Sequence, residues 1–130
     1  MKKVSGIKVL EEITGEGPEA AKGDSVTYNI KIFLSMGEEV PFNREQAERM
    51  PDHLSHIIRN VDDYKFIDHN TTLGKREPIP AVEYSLYGMK AGGYKKIIAS
   101  PHLAYREKGV PGYIPENAAI TIELWLRSIN

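Results

Sequence analysis

The sequence predicts an α+β domain, mostly antiparallel strands with one short central helix. Three observations carry that reading. Val26, Tyr28, Ile30 and Ile32 alternate with Thr27, Asn29 and Lys31. Ile120, Ile122, Leu124 and Leu126 repeat the same alternation near the end of the chain. A period of two marks half-buried strands. Between them, residues 81–89 carry Val82, Leu86 and Met89 on one helical face. A run of strands with a single helix among them is an α+β pattern. The 130 residues are read as one domain spanning 1–130, since domains most often run ~100–150 residues.

Taken in order, residues 6–13 hold apolar side chains at 7, 9, 10 and 13 and form a first strand. The turn formers of Thr14-Gly15-Glu16-Gly17-Pro18 break it. A second turn at 20–24 leads into the alternating run, which ends at Met36-Gly37-Glu38-Glu39. Residues 44–61 change character. Leu54, Ile57, Ile58 and Val61 stand at i, i+3, i+4 and i+7, one apolar helical stripe. Asp52, just after Pro51, suits the positive end of a helix dipole. The stretch is predicted as one short helix, or two broken at Pro51. Residues 66–73 return to strand chemistry and Gly74 closes them. The rigid Pro78-Ile79-Pro80 precedes the helix at 81–89, and a strand at 94–99 is stopped by Pro101. A loop over 101–115 holds Tyr105, Gly109, Pro111, Gly112 and Tyr113, and the final strand covers 118–129.

Composition excludes several classes of function. Lys plus Arg number 17 and Asp plus Glu 18, a net charge of -1. A nucleic-acid partner would call for a clear basic excess, so none is expected. With no cysteine there is no disulfide, thiolate metal site or Cys nucleophile. That suits a reducing compartment, and a cytoplasmic monomer is the expectation. Met1-Lys2-Lys3 is followed by no apolar stretch, and Lys8, Glu11 and Glu12 arrive too early for a secretory signal. No window approaches the ~18 consecutive apolar residues of a span, so no membrane partner is expected.

Catalytic signatures are equally sparse. His53 and His56, beside Asp52, lack a well-spaced third ligand, so neither metal nor cofactor is expected. There is no nucleophile elbow, Walker loop, dinucleotide fingerprint or paired-histidine zinc motif. The glycine-rich residues 88–93 follow a helix and precede a strand, the reverse of a phosphate cradle. Tyr84, Tyr87, Tyr94, Tyr105 and Tyr113, gathered with prolines in the last third, fit either a pocket for an apolar ligand or ordinary packing. Composition alone favours packing.

The order of the motifs shifts that balance. Gly15-Glu16-Gly17-Pro18 and Gly23-Asp24-Ser25-Val26-Thr27-Tyr28 come first. Leu73-Gly74, Ile79-Pro80-Ala81-Val82-Glu83 and Gly88-Met89-Lys90-Ala91-Gly92-Gly93 follow. The series ends in Pro101-His102-Leu103-Ala104-Tyr105 and residues 109–118. Together these resemble an FKBP-type peptidyl-prolyl cis-trans isomerase, the last block being similar to bacterial members. The resemblance covers residues 5–43 and 66–130 and leaves 44–65 as a helical insertion. It implies a strongly bent antiparallel sheet wrapping a short helix, with the active site between them. It also implies proline-containing polypeptides as partners and macrolides as weak inhibitors.

Residue by residue, the resemblance makes Tyr28 a pocket aromatic, Val82 the floor and Ile79 a wall. Tyr105 becomes the hydroxyl that meets a ligand carbonyl. Ile114 becomes a flap wall whose N–H holds another carbonyl, and Ile122 stands where the family has phenylalanine. Val40-Pro41 replaces the family's Phe-Asp, which removes an acid and a ring, and Phe42 is the ring nearest to hand. Arg106 stands where a glycine usually follows the Ala-Tyr pair. The expected site is therefore wider and less aromatic, with reduced turnover. Such a catalyst needs no nucleophile. The barrier to amide rotation is ~18–20 kcal/mol, and a pocket that binds the twisted amide better than either planar form lowers it. A non-catalytic module that only docks proline-containing chain is the rival reading.

Overall fold

Alternation decides the sheet. In the computed structural model, which describes residues 6–130, the elements follow in chain order. They are β1 (Ile7–Ile13), β2 (Glu16–Glu19), β3 (Ser25–Phe33), α1 (Phe42–Glu48), β4 (Ile58–Val61) and β5 (Tyr64–Ile67). After these come β6 (His69–Thr72), α2 (Pro80–Leu86), β7 (Lys90–Ala91), β8 (Tyr94–Ala99) and β9 (Ile120–Ile129). Residues 1–5, read above as lacking a secretory signal, lie outside the described residues. The main sheet has the order β1-β8-β9-β3-β6, and its pairings are antiparallel. This is the predicted α+β class.

Val26, Tyr28, Ile30 and Ile32 of β3 are buried, as are Ile120, Ile122, Leu124 and Leu126 of β9. The two strands lie side by side, with Ile32 opposite Ile122 and Ile30 opposite Leu124. Ala81, Val82 and Leu86 of α2 close the core against them. α2 begins at Pro80 because proline at the first turn sacrifices no intrahelical donor. Glu83 is buried in the same helix. It accepts hydrogen bonds from the N–H groups of Gly74 (3.0 Å) and Arg76 (3.2 Å), which ties the preceding turn to the helix.

Three elements differ from the sequence reading. Residues 52–61 are not a helix: residues Asp52–Ile57 form a 3-10 turn, and Ile58 and Val61 belong to β4, paired with β5. The i, i+3, i+4, i+7 stripe was a chance match, since a 3-10 turn with half-buried Leu54 and Ile57, followed by a strand, also places apolar residues at those spacings. The insertion is thus helical only in its first part, where α1 starts two residues before position 44. Residues 66–73 are two strands rather than one, because Asp68 turns the chain from β5 into β6, which belongs to the main sheet. The turn-rich residues 14–18 contain β2, which pairs with β7.

A buried polar residue holds the insertion in place. Asn29, on the face of β3 away from the core, donates to the Ile67 carbonyl (2.8 Å) and to Asp68 Oδ1 (2.8 Å). Its Oδ1 accepts from Arg127 Nε (2.6 Å). Arg59 clamps the same Asp68 carboxylate through two nitrogens, at 2.9 and 3.0 Å. The β4–β5 hairpin therefore covers the outer face of the sheet through a satisfied polar network, and Phe66 packs edge-on against Trp125 at 5.1 Å.

Candidate active site

The candidate side chains come from six separate parts of the chain. β3 supplies Tyr28, and the bridge after it supplies Val40, whose N–H donates to the Ile32 carbonyl at 2.7 Å. α1 opens with Phe42, the start of α2 supplies Ile79 and Val82, and β9 supplies Ile122. Tyr105 and Ile114 lie on the loop between β8 and β9. Tyr28, Val40, Val82, Ile114 and Ile122 are buried members of one core cluster. Phe42, Ile79 and Tyr105 pack against it half-buried. Val82 and Ile122 are 1% and 0% exposed, so they lie beneath the half-buried residues.

One correction follows from hydrogen bonds. The Ile114 N–H is not free to hold a substrate carbonyl, because it donates to the Val110 carbonyl at 2.8 Å. Val110 N–H returns the bond to the Ile114 carbonyl at 2.9 Å, which closes the loop on itself. A Cβ at Gly109, where φ is +62°, would lie 2.2 Å from the Ile114 carbonyl oxygen, so this tight loop requires glycine. Ile114 remains a wall only. Phe42 packs half-buried against the core cluster. It sits at the start of α1 and meets Tyr113 edge-on at 5.8 Å. The Tyr113 hydroxyl donates to Glu45 Oε2 at 3.0 Å, so the loop over the site is tied to the insertion helix.

Two donors near the floor are uncommitted among the described residues: the N–H of Ile79 and the hydroxyl of Tyr105. Ile79 sits between two prolines, and its carbonyl accepts from the N–H groups of Val82 and Glu83, which anchors it at the start of α2. Sequence reasoning named Ile79 as a wall but missed this donor. The signal was present in Pro78-Ile79-Pro80, since an N-cap residue keeps its own N–H outside the helix ladder.

His69 is a second omission. It lies opposite Tyr28 in the β3–β6 register and stacks on that ring at 5.3 Å. Burial pushes its pKa below the ordinary histidine value, against the pull of Asp68. The histidines that drew attention in the sequence, His53 and His56, lie instead on the 3-10 turn. Burial, with the nearby Tyr105 and Glu77, pushes the Tyr28 phenol up to about 12. Burial also raises Tyr105. The site therefore presents neutral hydroxyls, a neutral imidazole and aliphatic walls near pH 7, an arrangement suited to binding by shape.

The family model for FKBP-type peptidyl-prolyl cis-trans isomerases matches residues 17–127. The chain belongs to the FKBP-type peptidyl-prolyl cis-trans isomerase family. It is similar to FK506-binding protein 1A of Neurospora crassa, 27% identical over 97% of this chain and 90% of that protein. It is also similar to FK506-binding protein 4 of Aspergillus fumigatus, 28% identical over 99% of this chain. A third relative, the 39 kDa FK506-binding nuclear protein of Drosophila melanogaster, is 27% identical over 96% of this chain. The chain spans only 22% and 30% of the latter two. These relatives are fungal and insect proteins, which leaves the likeness to bacterial members without support.

For an FKBP-type chain, the absence of every nucleophile motif is no obstacle. The family's reaction is rotation about the X-Pro bond, and no bond to the enzyme is made. Val40-Pro41 puts no acid at positions 40 and 41, and Pro41 caps α1 without a side-chain hydrogen bond.

Proposed function

We propose that this chain accelerates X-Pro rotation by seating the proline ring against Tyr105, Ile79 and Phe42, above a floor of Val82, Val40 and Ile122. Tyr28 and Ile114 complete the walls. The observation that carries this reading is the pair of uncommitted donors beside an apolar floor. The Ile79 N–H and the Tyr105 hydroxyl hold the carbonyls flanking the proline, and the dry wall favours the twisted amide, which has lost its resonance dipole. A preference of ~1.4 kcal/mol for the twisted form is worth tenfold in rate.

Turnover is reduced relative to an FKBP site that has both the acid and the ring. An aliphatic floor holds macrolides of the FK506 type weakly. The protein acts as a cytoplasmic monomer on proline-containing polypeptide, without metal or cofactor. Exchange NMR on an X-Pro tetrapeptide series tests the reading. Cis-trans exchange faster than the uncatalysed rate supports it, and exchange at the uncatalysed rate in a folded sample refutes it.

A docking module without turnover is the second reading. It is favoured by the closure of the floor, since Val82 and Ile122 expose almost nothing to a ligand. Peptide binding without faster exchange is its signature.

A further inference from the structure

The outer face of the sheet, away from the core and the candidate site, carries a concavity. A groove of about 200 Å³ is lined by Lys31, Val61, Asp62, Tyr64, Phe66, Trp125 and Arg127. Three aromatic rings form its walls, and two cations stand over them. Lys31 Nζ lies 4.1 Å from the centre of Tyr64, 5.6 Å from Phe66 and 5.9 Å from Trp125. The Arg127 guanidinium carbon lies 5.6 Å from Phe66 and 5.7 Å from Trp125.

Neither cation makes a direct ion pair, although Asp68 acts on Arg127 from beyond contact distance. Among the described residues, neither Lys31 nor Arg127 has a carboxylate within ion-pairing distance. Arg127 spends only its Nε, on the neutral Asn29, which leaves its terminal nitrogens uncommitted. The carboxylates nearby are engaged. Asp68 is held by Arg59 and Asn29, Glu39 accepts from the Tyr64 hydroxyl, and Glu123, next to Lys31 in the strand register, accepts from Tyr94. Asp62 stands exposed in the β4–β5 turn at one rim of the groove. Two like charges held over the same two rings repel one another, and aromatic faces offset only part of that cost.

We propose that this groove docks an acidic side chain of a polypeptide. An oxyanion between Lys31 and Arg127 neutralises both, with the guanidinium fork matching a carboxylate and the ammonium acting as a point charge. The size selects the occupant. Pockets for whole small molecules run ~300–1,000 Å³, whereas this groove has room for one side chain while the body of the ligand stays outside. The rings then pack against the methylenes of that side chain or an apolar neighbour. The β4–β5 hairpin supplies Val61, Asp62, Tyr64 and Phe66, the first three of them from the insertion, so this site depends on that hairpin.

The test uses a blocked peptide, acetyl-Gly-Phe-Glu-Gly-amide, which contains no proline and so reports independently of the isomerase site. Trp125 is the chain's single tryptophan and lines the groove, so its fluorescence reads occupancy. Saturable quenching is expected, with amide shifts confined to β3, β5 and β9. Affinity is expected to fall about fivefold or more for the Gln counterpart of the peptide, for Lys31→Gln, and for Arg127→Lys as a milder second variant. Raising salt weakens binding in the same direction. Equal titrations by the Glu and Gln peptides overturn the proposal. So does inorganic phosphate that binds as tightly as the Glu peptide, which marks an ion site without a peptide. A Lys31→Gln protein that keeps its thermal midpoint and binds undiminished overturns it as well.

Discussion

Tyr105 and Ile79 act through dipoles rather than charge, and their contributions separate by substitution. Tyr105→Phe keeps the ring and removes one hydroxyl, so binding of the proline ring survives while one carbonyl contact is lost. A hydrogen bond of this kind is worth about 0.5–1.5 kcal/mol, which corresponds to a fall in kcat/KM of about three- to tenfold in a protease-free NMR exchange assay. Arg106 gives a stability test at the next position. It adopts φ +55°, in the left-handed region, where the family usually places glycine. Side chains other than glycine pay roughly 1–2 kcal/mol there, so Arg106→Gly is expected to raise the denaturant midpoint by about 1 kcal/mol of stability, less the added freedom of the unfolded glycine. An unchanged or lowered midpoint contradicts that account of the loop.

At the scale of elements, the insertion and the flap loop carry what is particular to this chain. Tyr113 joins them through Phe42 and Glu45. Tyr113→Phe keeps the ring contact and removes the hydroxyl bond. The expected result is little change in global stability together with faster amide hydrogen exchange confined to residues 109–115. Asn29 bears the larger load. Asn29→Ala strands Asp68, Arg127 and the Ile67 carbonyl together, and a loss of about 2–3 kcal/mol is expected by chemical denaturation. These elements were also the least legible in the sequence. The strands β3, β8 and β9 and the helix α2 could be read because one side faces the core and the other does not. The hairpin could not, because Val61, Tyr64 and Phe66 pack toward an outer sheet face whose partners, Lys31 and Trp125, look like solvent-facing residues in an alternating pattern. Periodicity reports one buried face, and here both are covered.

At the scale of the whole molecule, the site was legible as a set of walls and not as a set of donors. Val82, Ile79, Tyr105 and Ile122 could be placed from motif order, since a motif fixes which side chain occupies a position. Which backbone N–H remains uncommitted depends on long-range closure, as in the Val110–Ile114 bridge that occupies the donor assigned to Ile114. His69 was missed for a related reason, because its stacking on Tyr28 is a cross-strand contact between residues far apart in the chain. The electrostatics give a pH test. With Tyr28 pushed up to about 12, Tyr105 raised and His69 lowered, no group at the site changes charge between pH ~7 and ~9, so kcat/KM is expected to be flat across that range. Stability behaves differently. The His69 pKa is depressed on folding, so the unfolded chain binds a proton first as pH falls. The contribution is intact above the unfolded value of ~6.5 and is lost as pH drops from there through the folded pKa. Asp68, whose hydrogen bonds from Arg59 and Asn29 outweigh the opposing effect of burial, adds stability above the unfolded value that is lost as pH falls through its own lowered pKa.

The central claim is that a neutral, dry wall with two oriented donors suffices to speed X-Pro rotation. The measurement that tests it most directly is the cis-trans exchange rate of a neutral X-Pro tetrapeptide by NMR, at pH 7 and at pH 9, with wild-type protein and with Tyr105→Phe. The expected result is faster exchange than without protein, equal at both pH values, and reduced about three- to tenfold by the substitution. Exchange at the uncatalysed rate with folded wild-type protein, or a rate that follows a titration between those pH values, would contradict it.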